Sequence, residues 1–574
     1  MMRMAISSAK LPDSVDVLVV GSGFSALSCA VTLKSRGISP VIIEKTDVWG
    51  GTSARSLGVM WLPGHHLAPE GDNLARAREY LAAVGGNRAD LPAIDMFLSH
   101  AGEALAFFEQ MGATRSVSPP IQPDYQPELP GGARAGRALR PVPFDGAALG
   151  EDFRTFRRPL RDNTAFNGLM IDGPEIRDFL HTMTRPWSTL KVAKLMVKYG
   201  LNRVRYGRDR RLTVGQALTA RMGAKARDLG IPIYLNSTLI DLRIENDVCT
   251  GAIIRSNGEQ REIGVIKGVV LASGGFPRNR QLMARFYPDH SLGRHLSLSP
   301  PGNKGEAITA TLHHDAVLES ELSKPYAFMP VSIVPDSKLE PRLALNGGLD
   351  RAKPGMIIVN RQGRRFANEA ADYHILGSEI AEKCADNGGE CYLISDRAAF
   401  RKWGLGAALP IPGTAGRWER SGYLVRAASL KALAAKLDID GDGLEDTVRR
   451  FNAMAATGVD EDFGRGRGFY DKYIRSVGEF ELRDDSLAPL SFGPYYAIRL
   501  IPGDLGTFAG LKTDPTGRVM REAGNTFSNL FAIGNDRASI FGGTYPGPGI
   551  TLGPALVFGY LVANAIAGNP QQPA

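Results

Sequence analysis

Near its C-terminus the chain reads Gly542-Gly543-Thr544-Tyr545-Pro546-Gly547-Pro548-Gly549-Ile550-Thr551-Leu552-Gly553-Pro554. This loop brings a phenol, a glycine amide and the start of an apolar helix into one short stretch. Its glycines let the main chain approach a ligand closely, and the helix it opens points unpaired N–H groups and positive dipole character outward. A tyrosine hydroxyl and a backbone amide converging on one point can polarise a carbonyl oxygen.

The elements that must serve such a loop begin at the other end of the chain. Asp16-Val17-Leu18-Val19-Val20 is a short β-branched run, followed by Gly21-Ser22-Gly23-Phe24-Ser25-Ala26 and a helical pattern through Leu27, Ala30, Val31 and Leu33 that ends at Gly37. Val41-Ile42-Ile43-Glu44 predicts the next strand and puts Glu44 about 20 residues beyond the turn, where a carboxylate can hold the ribose hydroxyls of a dinucleotide. Strand, glycine turn, helix and acid together predict a Rossmann-type dinucleotide site rather than a plain β–α turn.

The next segment separates FAD from NAD. Trp49-Gly50-Gly51-Thr52-Ser53-Ala54-Arg55-Ser56 is a small, hydroxylated, glycine-containing loop suited to passing beneath a pyrophosphate and a flat flavin ring. Two later strands also end in glycine, at Gly268-Val269-Val270-Leu271-Ala272-Ser273-Gly274-Gly275 and at Asn529-Leu530-Phe531-Ala532-Ile533-Gly534-Asn535-Asp536. The cofactor domain is therefore expected to be discontinuous, with a large insertion between its parts.

With these segments the chain resembles the flavoprotein superfamily that includes fumarate reductase and, more closely, the bacterial 3-ketosteroid Δ1-dehydrogenases. The resemblance runs along nearly the whole chain. It is carried by Gly50–Ser56 with Trp61-Leu62-Pro63, by Pro123-Asp124-Tyr125 through Gly131-Gly132, by Pro354–Asn360 with Gly363–Glu369 up to Tyr373, and by the Tyr545 loop. The second and fourth of these are the specific ones. The resemblance implies an α/β fold with a Rossmann-type FAD-binding domain built from discontinuous segments and an inserted α+β catalytic domain. It also implies roles: Tyr545 and the Gly549 N–H bind a C3 carbonyl oxygen, Tyr373 takes a proton from C2, Tyr125 hydrogen-bonds Tyr373, and hydride passes from C1 to flavin N5. A tyrosine, with an ordinary pKa of about 10, needs a second phenol or a nearby positive charge to act as a base. The cofactor contacts it implies are Gly21, Gly23, Ser25, Ala26, Glu44, Lys45, Gly51, Thr52, Ser53, Ser56, Gly58, Ala272, Gly274, Gly534, Asn535, Thr551 and Leu552. Taken singly, Tyr125 in a Pro- and Gly-rich loop and Tyr373 beside His374 are ordinary surface-covering residues.

A dicarboxylate enzyme is disfavoured. Members of the superfamily that handle dicarboxylates carry a histidine in the loop that reads Gly503-Asp504-Leu505-Gly506-Thr507-Phe508-Ala509-Gly510-Leu511 here, and none is present. The Gly50 region also lacks the histidine that attaches FAD covalently in respiratory members, so noncovalent FAD is expected.

The 574 residues, 43% hydrophobic and 22% charged, can bury a large core and imply two domains or more. FAD-binding segments are expected at 1–320 and 488–574, and the catalytic domain at 321–487. Cys29, Cys249, Cys384 and Cys391 form no C-x-x-C pair, which suits a reduced cytoplasmic protein without structural zinc. Met1–Ser8 has no apolar h-region, so no signal peptide is expected. The apolar run from Ile550 to Ala567 contains Gly553, Pro554, Gly559 and Asn564, which argue for a buried helix rather than a membrane span. Asp438-Ile439-Asp440-Gly441-Asp442-Gly443 imitates a calcium loop, but the twelfth position is Arg449 where a bidentate Glu is required. His65-His66 and His313-His314 lack companions at ligand spacing, and no metal is expected.

The formal net charge of +8 has one local source. Lys191, Lys194, Lys198 and Arg205 fall on one helical wedge, with Val192, Ala193, Leu195, Met196, Val197, Tyr199 and Leu201 around the rest, Trp187 upstream, and Arg203, Arg208, Arg210 and Arg211 nearby. The segment 187–211 is either a basic amphipathic surface for the inner face of the cell membrane or a solvated helix packed on the FAD domain. Nucleic acid is not expected, because no base-stacking pattern accompanies the basic residues. The functional expectation is a FAD-dependent Δ1-desaturase of 3-ketosteroids in sterol breakdown. Its alternatives are a desaturase of smaller cyclic ketones, a 3-ketosteroid Δ4-(5α)-dehydrogenase and, from another class, a flavin protein kept for electron transfer. The residues do not specify the electron acceptor, for which a quinone is one candidate.

Overall fold

Ser14–Val20 is a strand whose apolar residues are covered on both faces, as a central parallel strand requires: Val17, Leu18 and Val19 are fully buried. The computed structural model describes residues 6, 10–161, 164–166, 168–182, 184–286, 295–335 and 342–568. Ser14–Val20 pairs in parallel with Pro40–Ile43 on one side and with the end of Glu259–Leu271 on the other. Ile233–Tyr234 extends the sheet beyond Pro40–Ile43, and Thr526–Ala532 extends it beyond Glu259–Leu271. Both glycine-ended strands expected from the sequence therefore join the first strand in one sheet. Ser237–Glu245 and Val248–Ser256 add an antiparallel flap that continues along the earlier part of Glu259–Leu271.

The helix Phe24–Ser35 leaves the first strand and packs against Leu552–Ile566, the C-terminal apolar run. That run is a buried helix, as its interruptions indicated. Ser28 Oγ donates to the Ala555 carbonyl at 3.1 Å, and Arg36 Nε donates to Asn564 Oδ1 at 2.9 Å, so two polar links cross the apolar contact. The helices Phe24–Ser35 and Leu552–Ile566 are thus tied together beside the first glycine turn.

A second sheet, mostly antiparallel, is built on the long strand Tyr495–Thr507. Tyr326–Val334 pairs with one of its edges, and Cys391–Ser395 and Val425–Ala427 pair along it as well. Arg342–Leu345 and Met356–Val359 lie further out, and Leu296–Ser297 joins in parallel near Gly503. This is the inserted unit, but its core strand and Leu296–Ser297 both lie outside the 321–487 stretch expected for it. Strand periodicity is visible in a sequence, whereas the partner that claims a strand is not, and here the claim runs across both boundaries.

The calcium-like stretch has a plain structural use. Asp440 Oδ1 accepts from the N–H groups of Asp442 and Gly443 and caps the helix Gly441–Thr457. All four cysteines are buried and free of disulfides.

Candidate active site

A cavity of about 490 Å³ is lined from both sheets, the first contributing Val20, Ile43, Glu44 and the glycine turns and the second contributing Met329, Leu345 and Leu505. Every expected cofactor contact lines it except Ala26, which faces the buried core on the inner side of the first helix. At Gly21, with φ of +108°, a Cβ would lie 2.3 Å from the Ala272 carbonyl, so no other residue allows the two strand ends to close at this turn. Gly23 precedes the first helix and Thr551 precedes the last, and neither makes a side-chain cap. Two helix starts therefore aim backbone donors into one cavity, which suits an anionic pyrophosphate.

The Glu44 carboxylate is pre-set for a diol. Oε2 accepts from Ser22 Oγ at 2.6 Å, and Oε1 accepts from the Thr46 N–H at 3.0 Å and its hydroxyl at 2.8 Å. Buried Asp536 binds the N–H groups of Ser273 and Gly275, shaping the turn that exposes Gly274. Asn303 donates to Thr52 Oγ1 at 3.0 Å and to the Gly274 carbonyl at 3.1 Å, joining the loop under the flavin to the strand end. Glycine cradle, twin helix starts and a braced acid make a donor set that fits FAD.

At the other end of the cavity three tyrosines close on one another. Tyr125 stacks on Tyr545 with ring centroids 5.4 Å apart, and Tyr373 meets Tyr125 edge-on at 5.4 Å and Tyr545 edge-on at 5.1 Å. Gly549, with φ of +97°, packs so closely on Val59 that a Cβ would lie 2.4 Å from its carbonyl. The Gly549 carbonyl accepts from Trp61, Leu552 and Gly553, while no acceptor among the described residues takes its own N–H. The structure thus brings Tyr125, Tyr373, Tyr545 and Gly549 to one wall.

Each of these residues is held from behind. Asp124, just before Tyr125, accepts from Trp61 Nε1 at 2.8 Å and from Arg137 Nη1 at 2.8 Å, and the Tyr125 N–H donates to the Pro546 carbonyl at 2.9 Å. Tyr80 OH donates to the same carbonyl at 2.5 Å. Tyr373 is the first residue of the helix Tyr373–Lys383, whose N-cap Asp372 accepts from His374 and Ile375. The Gly363–Glu369 motif before it is scaffolding. Glu369 receives Arg365 in a bidentate pair and Arg465 in a second contact, and Arg351 is anchored on the carbonyls of Asn346, Gly347, Glu369 and Ala371.

Burial dominates the electrostatics. It pushes Tyr125 and Tyr373 well above the ordinary tyrosine range and Tyr545 up to about 12. Against that, the Tyr125 hydroxyl favours the phenolate of Tyr373, and Tyr373 acts the same way on Tyr545. The N-terminal end of its own helix also favours negative charge at Tyr373. Asp372 is raised to about 6 by burial, with its two backbone donors and Arg351 pulling the other way. His374 is lowered to about 3 by burial; its Nδ1 accepts from the Phe328 N–H at 3.2 Å and its other nitrogen faces the Gly543 carbonyl.

Sequence reasoning missed Tyr470 and Tyr473, on the helix Phe469–Ser476. Tyr470 packs on Tyr125 at 5.1 Å and Tyr473 on Tyr470 at 6.2 Å, and both line the cavity. Their spacing of three along a helix was a signal for a shared face, but nothing local pointed that face at Tyr125. Arg140, Asn303 and Asp536 were missed for the same reason. Elsewhere, the apolar side of the helix Pro186–Tyr206 is not packed away: Trp187 is 69% exposed and Val204 91%, with Leu190, Val197 and Leu201 also exposed, while Val192 and Tyr199 are buried.

The model of the FAD binding domain family matches residues 16–552. The 4-oxocyclohex-2-ene-1-carboxylate 5-dehydrogenase of Sinomonas cyclohexanicum is 34% identical over 96% of this chain and 93% of its own length. A 3-oxosteroid 1-dehydrogenase of Mycolicibacterium smegmatis is 33% identical over 96% of this chain and 97% of its own. Among solved structures, the 3-ketosteroid Δ1-dehydrogenase of Sterolibacterium denitrificans in complex with 1,4-androstadiene-3,17-dione superposes with a TM-score of 0.88 at 30% identity, covering 97% of this chain and all of that one.

Proposed function

The chain belongs to the FAD-binding flavoprotein family that includes the 3-oxosteroid 1-dehydrogenases, and on that premise we propose that it introduces the C1–C2 double bond into 3-ketosteroids. FAD is its cofactor; in this reading it is held noncovalently, since the loop 49–56 carries no histidine to attach it, and when bound it supplies the acceptor for the hydride that leaves C1. The observation that carries the reading is the convergence of Tyr125, Tyr373 and Tyr545 with the Gly549 amide on one cavity wall.

In this reading the Tyr545 hydroxyl and the Gly549 N–H hold the C3 carbonyl oxygen. An α-proton of a ketone leaves only if the growing oxyanion meets donors already in place, each worth roughly 3 to 4 kcal/mol. Tyr373, as the phenolate that the Tyr125 hydroxyl stabilises by donating to it, takes the C2 proton and becomes a neutral phenol. Met329, Leu345, Leu349 and Ile474 give the cavity the apolar walls that a steroid nucleus needs. A smaller cyclic ketone is the second reading, favoured by the relative whose name specifies 4-oxocyclohex-2-ene-1-carboxylate.

The same reading puts the enzyme on the cytoplasmic side of the membrane, docked through the helix Pro186–Tyr206. The exposed Trp187, Leu190, Val197, Leu201 and Val204 between exposed lysines support this, because such a face binds an anionic lipid surface and sterols dissolve in that surface. Electrons then leave to an external acceptor, for which a membrane quinone is the natural chemical class.

The test is anaerobic mixing of the yellow protein with androst-4-ene-3,17-dione and, separately, with cyclohexanone, followed at the flavin band with product analysis. Bleaching by the steroid with a 1,4-diene product supports the reading. Bleaching by cyclohexanone alone transfers the mechanism to the smaller substrate, and no bleaching by either defeats the tyrosine assignments.

A further inference from the structure

Among the described residues, seven charged ones line the cavity, and five of them lie in the cofactor half. There, Lys45 pairs with Glu306 at 2.5 Å, Arg157 faces Glu44, and Arg55 has partners of its own. The remaining two, Arg140 and Asp172, stand at the end lined by Gln122, Tyr473 and Ile176. Asp172 is committed to its own helix, accepting from the Gly173 N–H at 2.8 Å within a capping box. Arg140 pairs with no carboxylate among the described residues.

Arg140 is nevertheless held in place. Nε donates to Gln122 Oε1 at 2.8 Å, the guanidinium acts as a donor toward the Tyr473 hydroxyl, and Nη1 fills the space beside Gly173, where a Cβ would lie 2.0 Å from it. A half-buried guanidinium that lines the cavity, braced by a neutral amide and a phenol and paired with no carboxylate among the described residues, is a preorganised receptor for a carboxylate. Its position relative to the ketone site follows from the ring contacts. Tyr473 touches Tyr470, Tyr470 touches Tyr125, and Tyr125 touches Tyr545, so two rings separate Tyr473 from the carbonyl-binding tyrosine.

We propose that Arg140 recognises a carboxylate on the end of the substrate remote from the ketone, so that the preferred substrate is a 3-ketosteroid bearing an acidic side chain at C17. The inference rests on the desaturase reading above and deepens it. Successive ring contacts of 5.4, 5.1 and 6.2 Å from Tyr545 through Tyr125 and Tyr470 to Tyr473 suit a steroid nucleus with a short side chain better than a single cyclohexanone ring. No bond is made or broken at Arg140; its effect lies in binding and orientation.

The experiment compares a 3-keto-4-ene steroid carrying a short C17 carboxylic-acid side chain with its methyl ester, reading kcat/KM in the holoenzyme and in Arg140→Gln and Arg140→Lys. The acid is expected to exceed the ester at least tenfold in the wild type, mostly through KM. Arg140→Gln should collapse that ratio at least tenfold and Arg140→Lys should restore part of it. An acid-to-ester ratio near one in the wild type, or one unchanged in Arg140→Gln, overturns the assignment; the wild-type ratio decides even if the variant does not fold. Reduction by 4-oxocyclohexanecarboxylate but by neither steroid also overturns the steroid acid. Absence of flavin reduction by every ketone sinks the desaturase reading itself, while turnover of both steroids without preference for the acid sinks only the role of Arg140.

Discussion

Tyr373 meets the ring of Tyr545 edge-on, with centroids 5.1 Å apart and planes at 78°, although the two residues are separated by most of the C-terminal half of the chain. That geometry sets the phenol assigned to proton abstraction directly beside the phenol assigned to the carbonyl oxygen. Enolisation needs both functions within one six-membered ring of substrate, and this contact supplies the spacing.

Removal of the Tyr373 hydroxyl should stop chemistry and spare the cofactor. Tyr373→Phe is expected to bind FAD normally, because its ring lies at the apolar end of the cavity, and to lose on the order of 10²- to 10⁴-fold in the rate of flavin reduction by ketone. Stopped-flow bleaching with a matched flavin spectrum checks this; reduction at the wild-type rate would remove Tyr373 from the mechanism.

Tyr545→Phe deletes one of two carbonyl donors and leaves the Gly549 amide. The expected loss is roughly 10²- to 10³-fold in kcat. Because both phenols act on one step, Tyr373→Phe combined with Tyr545→Phe should cost less than the two single losses multiplied together. Strict multiplicativity would mean that the two hydroxyls act on separate steps.

The pH dependence follows from burial. Tyr373 lies well above the ordinary tyrosine pKa, so its phenolate is scarce at neutral pH and its population grows up to tenfold per pH unit. The rate of flavin reduction should therefore climb from pH 7 to about 10 without levelling off. A plateau beginning below pH 9 would identify a different base.

His374 makes a testable contribution to stability. Burial lowers its pKa to about 3, so the unfolded chain takes up this proton near pH 6.5 while the folded protein refuses it. Stability is whole above pH 6.5 and is lost as the pH falls from there toward 3, by about 2 kcal/mol at pH 5. Denaturation of wild type and His374→Gln at pH 7 and pH 5 should show the wild type losing more of its stability across that interval. Parallel loss in the two proteins would contradict a buried neutral imidazole.

Membrane docking predicts a response to charge and to apolar surface alike. Replacing Lys191, Lys194 and Lys198 with Glu, or the exposed Trp187 with Ser, should each release the protein from phosphatidylglycerol vesicles in a flotation assay, with turnover of a soluble steroid maintained. Flotation unchanged by both substitutions would return this helix to the role of a solvated face.

By itself the sequence determined the dinucleotide turn, the acid at Glu44, the flavin loop and the buried C-terminal helix. Each of these depends on residues close together in the chain, where glycine conformation, strand period and helix punctuation act locally. The matched segments also marked Tyr125, Tyr373, Tyr545 and Gly549. Only the tertiary structure decided that the long strand Tyr495–Thr507 belongs to the inserted sheet, that Ala26 turns its back on the cavity, and that Trp61 and Arg137 clamp Asp124 behind Tyr125. It likewise decided that Tyr470, Tyr473 and Arg140 extend the wall begun by Tyr545. The reason is physical: which strand pairs with which, and which buried charge finds which partner, follows from packing among segments hundreds of residues apart, and no local pattern encodes the neighbour.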